Sequence, residues 1–415
     1  MKRVLTIAIV LVMLLGLCAC GGKAEQKAAE PKVFRVGFGR VNITPTSSHN
    51  LDGYSDRMSE GVLNPVMATC VAITDVDGNT ILLYTVDMCN TEKETFGPLR
   101  EQLTKETGIP GENITISATH THSSPAYPYM FDYVERLVQA GKDALADRAP
   151  ATIQGGSYDV PNMNFVRHYI KTDGTYAGDN YGNVYRDVVA HAEDADPTMR
   201  LIRFVREGDK KDVLMVNWQV HPKLASTADT AEGKATRNLI SADFIGYARD
   251  YVETNEDVLF AYYNGASGNV NPFSMLPSEK NLVSREAKRY GEQFGDHVIS
   301  ALTELQALES GSVGAKTAPL GQEGGFNLHA YAAGDISFAT VPAEIFSSTG
   351  QQIREGSPYA VTFVLTCANG GYGYIPSEFA YTCFASYEAG ISSFASGTAE
   401  TLEREYISML TELHK

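Results

Sequence analysis

The stretch Asn113-Ile114-Thr115-Ile116-Ser117-Ala118-Thr119-His120-Thr121-His122-Ser123-Ser124-Pro125 joins a short apolar run to a polar turn that carries two histidines. The run over residues 113–118 predicts a buried strand. Side chains two residues apart on a strand point to the same face, so His120 and His122 are expected to converge where this strand ends. Two imidazoles on one face are a common beginning of a metal site, whereas a surface histidine pair in a polar turn is the alternative.

Around this stretch, apolar runs of strand length alternate with amphipathic segments of helix length. The patterns predict strands over residues 33–43, 66–74, 80–86, 200–206, 213–220, 258–263, 336–341 and 360–365. They predict helices over residues 93–107, 133–146, 245–253, 284–305 and 399–413. Such alternation favours the α/β class with mixed β-sheets and flanking helices. The sequence Asp75-Val76-Asp77-Gly78-Asn79 predicts a hairpin turn, which argues against an all-parallel sheet.

Polar residues capable of metal or acid–base chemistry follow the ends of these apolar runs. Besides the two histidines they are Asp87, His221, Asn264, Glu344 and Asn369. Active sites of α/β proteins collect at the carboxyl ends of strands, so strands that share one sheet edge would bring these groups into one cleft. Each residue also has a structural alternative. Glu344, for example, could cap a helix that begins at Ile345, and Asp87 is expected to have a supporting role.

The first residues predict export. Lys2 and Arg3 precede an apolar run over residues 4–17 that is too short for a typical membrane span. The run ends in Leu17-Cys18-Ala19-Cys20-Gly21, which resembles the lipobox of bacterial lipoproteins. We therefore expect a lipoprotein signal peptide over 1–20 with a lipid on Cys20, a flexible tether over 21–33 and one domain over 34–415. An ordinary cleaved signal peptide is the alternative.

The charge balance indicates which partners the exported domain should bind poorly. The whole chain has a net charge of −16, and loss of Lys2 and Arg3 makes it two units more negative. Such a domain is expected to bind nucleic acid or an anionic membrane poorly, so membrane attachment should come from the lipid.

No C-x-x-C pair occurs among the remaining cysteines, which are Cys70, Cys89, Cys367 and Cys383. This argues against a cysteine-type zinc site. Export permits disulfides, but their pairing and the oligomeric state stay open.

The histidine segment, Ala118 to Pro125, resembles the zinc-binding segment of the neutral ceramidases. Six further segments resemble that family in the same order: Val41-Asn42-Ile43-Thr44-Pro45, Gly53-Tyr54, Asn217-Trp218-Gln219-Val220-His221-Pro222, residues 241–248, Pro342-Ala343-Glu344, and Gly373-Tyr374-Ile375-Pro376 followed by Tyr387-Glu388. Together the segments extend from about residue 36 to residue 390. The resemblance implies a single large ceramidase-like catalytic domain.

The resemblance also implies a set of site residues. Carried over position by position, the ligands of a Zn²⁺ ion would be His120, His221, Glu344 and Tyr374. His122 would lie beside the ion, either as an orienting group or as a proton carrier for the attacking water, and Arg167 and Tyr387 would support the substrate's carbonyl oxygen. Tyr387 lies one residue further from Tyr374 than the family spacing.

One segment departs from the family. Its catalytic serine lies in Gly-Asp-Val-Ser-Pro-Asn, whereas this chain has Gly268-Asn269-Val270-Asn271-Pro272-Phe273. Asn271 can donate a hydrogen bond but cannot act as a hydroxyl nucleophile, so attack by water is expected.

The expected function is that of an exported, lipid-anchored zinc hydrolase that cleaves a linear amide bond, for example in an N-acyl sphingosine or another N-acyl lipid. Two alternatives remain: a non-catalytic lipoprotein that binds a lipid or metabolite, and a zinc hydrolase for another amide or an ester.

Overall fold

The computed structural model describes residues 32–54, 57–126, 133–178, 187–227, 231–320, 325–382 and 386–415. Residues 32–415 belong to one compact unit. The predicted signal peptide, Cys20 as the predicted site of the lipid and nearly all of the predicted tether lie outside the described residues, as does Cys383. Within the described residues, no helix is both long enough and apolar enough to cross a membrane, and Cys70, Cys89 and Cys367 are buried free thiols.

The elements are numbered in chain order. The strands are β1 (Arg35–Asn42), β2 (Gly61–Val62), β3 (Met67–Thr74), β4 (Thr80–Val86), β5 (Ile114–Ala118), β6 (Ala149–Asp159), β7 (Phe165–Val166), β8 (His168–Lys171), β9 (Tyr176–Gly178), β10 (Val188–His191), β11 (Thr198–Arg206), β12 (Asp212–Trp218), β13 (Leu239–Ile240), β14 (Val258–Asn264), β15 (Val270–Asn271), β16 (Gln306–Leu308), β17 (Val313–Pro319), β18 (Asn327–Ala333), β19 (Ile336–Thr340), β20 (Glu344–Ile345), β21 (Val361–Leu365) and β22 (Tyr374–Ile375). The helices are α1 (Lys93–Thr107), α2 (Tyr133–Ala146), α3 (Ala231–Thr236), α4 (Asp243–Asn255), α5 (Ala287–Ala301), α6 (Ser347–Glu355), α7 (Glu378–Thr382), α8 (Tyr387–Ile391) and α9 (Thr398–Leu413).

Among the described residues, the largest sheet has nine strands, in the order β14-β12-β11-β6-β1-β3-β4-β5 with β16 paired to β6. The predicted hairpin is present, because β3 and β4 pair antiparallel from Thr74 and Thr80 at the turn to Ala68 and Val86. At the two ends of the sheet the pairing is parallel, β4 with β5 and β12 with β14. The sheet is therefore mixed, as the hairpin predicted.

Both faces of this sheet are covered. On β4, Leu82 packs with helices α1 and α2, whereas its neighbour Leu83 faces a core shared with the second sheet. The second sheet has the order β17-β18-β19-β21, and Phe338 and Phe363 contribute its side of the shared core. Helices α4 and α5 pack on β12 and β14, and α6 and α9 cover the second sheet. The arrangement is a layered α/β fold, and the predicted fold class is confirmed.

The strand ends that carry polar residues do not share one sheet edge, so the condition stated for the sequence pattern is not met. Strands β5 and β14 stand at opposite ends of the large sheet, and β19 and β21 belong to the second sheet. Hydrogen bonds nevertheless join the three regions. Thr85 Oγ1 on β4 donates to the carbonyl of Tyr262 on β14 (2.6 Å), and the Ala118 amide on β5 donates to the Cys367 carbonyl after β21 (3.1 Å). The strand ends meet because the sheets pack together.

Two further sequence interpretations need correction. The helix predicted over residues 284–305 is shorter, because α5 covers Ala287–Ala301. Glu344 does not cap a helix: it lies in β20, and α6 begins at Ser347. Asp87, in contrast, has a supporting role as expected, since its carboxylate pairs with the Arg249 guanidinium at 2.7 Å.

Candidate metal centre

His120 and His122 lie in a turn after β5. Their Nε2 atoms are 3.3 Å apart, so the two imidazoles do converge. The predicted cause is wrong, however, because the strand ends at Ala118 and His120 has a left-handed backbone with φ of 68°. A non-glycine residue in this region is uncommon and points to a special local role. The turn, rather than strand alternation, directs both rings to one point.

His221 reaches the same point from the end of β12. Its ring centroid is 4.8 Å from that of His120. Each ring is oriented by a backbone carbonyl: His221 Nδ1 donates to the Ser267 carbonyl (2.7 Å), and His120 Nδ1 donates to the Cys89 carbonyl (2.7 Å). Since a carbonyl can only accept, each Nδ1 must carry a proton, which leaves Nε2 as the nitrogen of each ring that can bind an ion once it is unprotonated.

Glu344 supplies the third group. It lies in β20, which pairs in parallel with β22 so that Glu344 is opposite Tyr374. Its Oε2 atom is 3.1 Å from Nε2 of His120 and 3.2 Å from Nε2 of His221. One carboxylate oxygen thus lies between two imidazole nitrogens.

This arrangement fits a metal ion. His221 Nε2 and Glu344 Oε2 are buried and have no hydrogen-bond partner. One ligand atom from each of His120, His221 and Glu344 lies within 4.8 Å of the others. Two imidazole nitrogens and a carboxylate are a donor set that suits zinc, and buried polar atoms without partners would gain bonds from such an ion.

The local electrostatics favour a positive charge beside Glu344. Burial by itself lowers the pKa of His120 and raises that of Glu344, but the attraction between the two groups outweighs burial and reverses both shifts. Burial, with the positive charge of Arg167, lowers the pKa of His221 to about 4. Burial and the neighbouring histidines hold the pKa of His122 well below its usual range. His122 and His221 are therefore neutral at pH 7.

Tyr374, Arg167 and Tyr387 lie next to one another, and Tyr374 pairs with Glu344 of the centre. The hydroxyl of Tyr374 accepts a hydrogen bond from Arg167 Nη2 (3.3 Å), and the guanidinium lies 5.7 Å from the centroid of the same ring. The Tyr387 ring is 6.1 Å from that of Tyr374. Burial, reinforced by Glu344, raises the pKa of Tyr374 well above its usual value. The structure thus places all three predicted residues together.

A cavity of about 630 Å³ opens onto the centre, a size typical of small-molecule sites. Its described lining consists of Asn50, Leu51, Asp52, Gly53, Tyr54, Arg57, Cys89, Asn90, His120, His122, Glu344, Tyr374 and Tyr387. Asn271 is absent from this lining. It is buried in β15 directly after Val270, whose carbonyl also accepts from His221 Nδ1 (3.1 Å).

Sequence reasoning missed the wall of the cavity that is formed by residues 50–54, Arg57 and residues 89–90. Arg57 donates to the carbonyl oxygens of His122 (2.6 Å) and Asp52 (2.5 Å), so it fastens this loop to the histidine turn. The Tyr54 ring lies edge-on to that of His122 at 5.0 Å. The resemblance of Gly53-Tyr54 to the family was the available sequence signal for this wall. The contacts of Arg57 could not be predicted, because a bond to a backbone carbonyl does not depend on which residue supplies it.

Comparison with known proteins agrees with this fold. The family model "Neutral/alkaline non-lysosomal ceramidase, N-terminal" matches residues 34–275, more than half of the chain. The neutral ceramidase from Pseudomonas aeruginosa has a similar fold, with a TM-score of 0.73 and 16% identity over 92% of this chain and 74% of that one. A structure titled as ceramidase complexed with C2 is equally similar, with a TM-score of 0.73, 16% identity and coverage of 92% and 75%.

At 16% identity, the solved structures support the fold alone. The family assignment comes from the sequence match, whose matched region contains His120, His122 and His221. Glu344 and Tyr374 lie beyond it, and the fold brings them to the same point. The resemblance seen in the sequence is confirmed: this chain belongs to the neutral/alkaline non-lysosomal ceramidase family.

Proposed function

We propose that this protein is an exported, lipid-anchored and zinc-dependent amidohydrolase that cleaves the amide bond of an N-acyl sphingosine or a related N-acyl lipid. Membership of the ceramidase family supports the hydrolase class. The observation that carries zinc dependence is the convergence of two carbonyl-oriented imidazoles on one Glu344 oxygen. Lipid attachment rests on the lipobox-like sequence that ends at Cys20.

We assign His120, His221, Glu344 and Tyr374 as the residues that would hold the ion. Zinc bound there would polarise an amide carbonyl and strengthen water as a nucleophile at neutral pH. The carbonyls of Cys89 and Ser267 would keep the two imidazoles in the tautomer that binding requires.

His122 is suited to move the proton. It lines the cavity, its Nε2 atom lies 3.3 Å from that of His120, and Arg57 donates to its backbone carbonyl. A neutral imidazole can accept a proton from the attacking water and return it to the departing nitrogen, which amide cleavage requires.

Arg167 and Tyr387 are suited to stabilise the negative charge that develops on the substrate's carbonyl oxygen. Preorganised donors that face the oxygen where negative charge develops supply a large part of the rate enhancement in acyl transfer. Arg167 carries a permanent charge next to Tyr374, and the Tyr387 side chain lines the cavity. With asparagine at position 271 instead of a hydroxyl nucleophile, water attacks the amide directly.

The polarity of the cavity favours a second candidate, a zinc hydrolase for a small polar amide. Leu51 is the only aliphatic side chain among the described residues of its lining. A long hydrocarbon chain gains most from apolar contact, and this part of the wall offers little of it. Under this candidate the same centre would act on a shorter, polar substrate.

The test combines metal content with turnover of the purified protein. His120→Ala should lose the zinc that the wild type holds at one ion per chain, whereas the exposed control His414→Ala should keep it. A fluorogenic N-acyl sphingosine and a short-chain polar N-acyl amide then separate the two candidates. Zinc without turnover of either substrate would leave a binding protein, and a wild type that takes up no zinc would refute the proposal.

A further inference from the structure

Glu388 is a buried carboxylate directly behind the candidate centre. It lies in α8, immediately after the cavity-lining Tyr387, and its side chain has no exposed surface. Its Oε1 atom accepts from Nε (2.8 Å) and Nη2 (2.7 Å) of Arg167, and its Oε2 atom accepts from His168 Nε2 (2.9 Å). Both oxygens are therefore engaged by side chains from the β7–β8 region.

These bonds keep Glu388 ionised. Burial alone would raise its pKa, but Arg167 and His168 outweigh burial and lower the pKa to about 2. A buried charge that lost these partners would be strongly destabilising, so the carboxylate and the guanidinium depend on each other. Charge-assisted bonds to two nitrogens of one guanidinium also fix the plane of that group, which a single contact cannot do.

The position of Arg167 follows from this contact. The same Nη2 atom that binds Glu388 donates to the Tyr374 hydroxyl, and the Arg167 amide donates to the Asn269 carbonyl (2.8 Å). The other end of α8 is tied to the centre as well, because Ser392 Oγ donates to the Tyr374 carbonyl (2.8 Å). The short helix thus joins Arg167, Tyr374 and Tyr387 into one unit.

We propose that Glu388 is a positioning residue that holds the Arg167 guanidinium against Tyr374 and fixes Tyr387 at the cavity wall. It does not touch the substrate, and its effect on the reaction is transmitted through Arg167. This proposal rests on the amidohydrolase function proposed above. A buried ion pair that only stabilises the fold is the competing explanation.

Kinetics separate the two explanations. Glu388→Gln keeps the size of the side chain but removes the charge that Arg167 requires. We expect kcat to fall by about 10- to 100-fold, less than the loss of an oxyanion donor itself, with KM and zinc content close to those of the wild type. The matched control is Asp196→Asn, which neutralises another buried carboxylate, one that pairs with Arg354 away from the cavity. It should lower the melting temperature and leave kcat per folded molecule unchanged.

A double-variant cycle tests whether the effect passes through Arg167. Arg167→Ala combined with Glu388→Gln should be no slower than Arg167→Ala alone, and it should melt at a higher temperature because no unpaired buried charge remains. Multiplicative loss of kcat in the double variant, or a Glu388→Gln protein with wild-type kcat, would overturn the proposal.

A spectroscopic measurement keeps this proposal separate from the proposed function. In protein labelled with ¹⁵N-arginine, the Arg167 Nε–H signal, identified by its loss in Arg167→Ala, should shift or disappear in Glu388→Gln and persist in Asp196→Asn. An unchanged signal in Glu388→Gln would overturn the positioning role whether or not the wild type is active. A wild type without amidase activity but with the expected shift would instead refute the proposed function.

Discussion

Gly53 is the position where one added carbon should damage the reaction most selectively. Its φ of 88° lies in the left-handed region, and a Cβ atom built there would be 2.6 Å from Cα, Cβ and Cγ of His122. Ordinary carbon contacts begin at 3.4 Å, so either the loop or His122 must give way by 0.8 Å, the difference between the two distances. The variant Gly53→Ala changes no proposed metal ligand, and we expect the clash to displace the proposed proton carrier, because Arg57 ties the loop to the histidine turn.

The expected loss of stability and the expected loss of kcat can be estimated separately. A non-glycine residue in the left-handed region costs about 1–2 kcal/mol. Displacing a catalytic group by about 1 Å can lower kcat by about 10²-fold. The matched control is Gly78→Ala in the β3–β4 hairpin, because Gly78 has φ of 93° and no neighbouring heavy atom within 4 Å. The control variant should therefore lose stability through its left-handed backbone alone, without a steric clash.

The assay is kcat per folded molecule, with unfolding curves and zinc content measured on the same samples. Both variants should be less stable than the wild type and retain zinc, and only Gly53→Ala should lose turnover. Equal kcat values for the two variants would refute the reasoning, because His122 would then tolerate the displacement or have no part in the reaction.

Three further outcomes are expected. His122→Ala should bind zinc as the wild type does but lose about 10²- to 10⁴-fold in kcat, the usual range for an acid–base group, as judged by metal analysis and turnover; loss of zinc would make His122 a ligand instead. Removing the metal with a chelator should lower the melting temperature of the wild type but not that of His120→Ala, because an ion that binds only the folded state stabilises it; calorimetry measures both. The depressed pKa of Glu388 stabilises the fold above pH 4.5, and this contribution, about 3 kcal/mol, should be lost as the pH falls towards 2. Denaturant titrations should therefore show a weaker acid dependence for Glu388→Gln, and equal slopes would contradict the assignment.

The elements of the fold were largely predictable because their signals are local. Helices α1 and α2 have the predicted bounds, and the β3–β4 hairpin follows from its turn sequence. The alternation of helices and strands indicated a mixed α/β protein before any contact was known. The helix predicted over 284–305 was too long because its ends are set by tertiary contacts: the Ala287 amide at the start of α5 donates to Glu232.

The candidate centre was predictable in its residues but not in its geometry. His120, His221 and Glu344 each follow a strand, which the sequence shows, but they come together through the packing of two sheets, which it does not. The left-handed backbone of His120 is a second feature without a sequence signal. Glu388 was visible only as part of a family match, because a buried ion pair between residues 221 positions apart leaves no local pattern.

The central claim is that one zinc ion is held by His120, His221, Glu344 and Tyr374, and the most direct test is anomalous X-ray scattering at the zinc edge from crystals of the protein. The account predicts a single peak at about 2.0–2.2 Å from two imidazole Nε2 atoms and from the oxygens of Glu344 and Tyr374. A competing group of Cys89, His120 and His122 also has one potential ligand atom each within 4.8 Å of the others. A peak bound to Cys89 and His122, or no peak from zinc-supplemented crystals, would contradict the account.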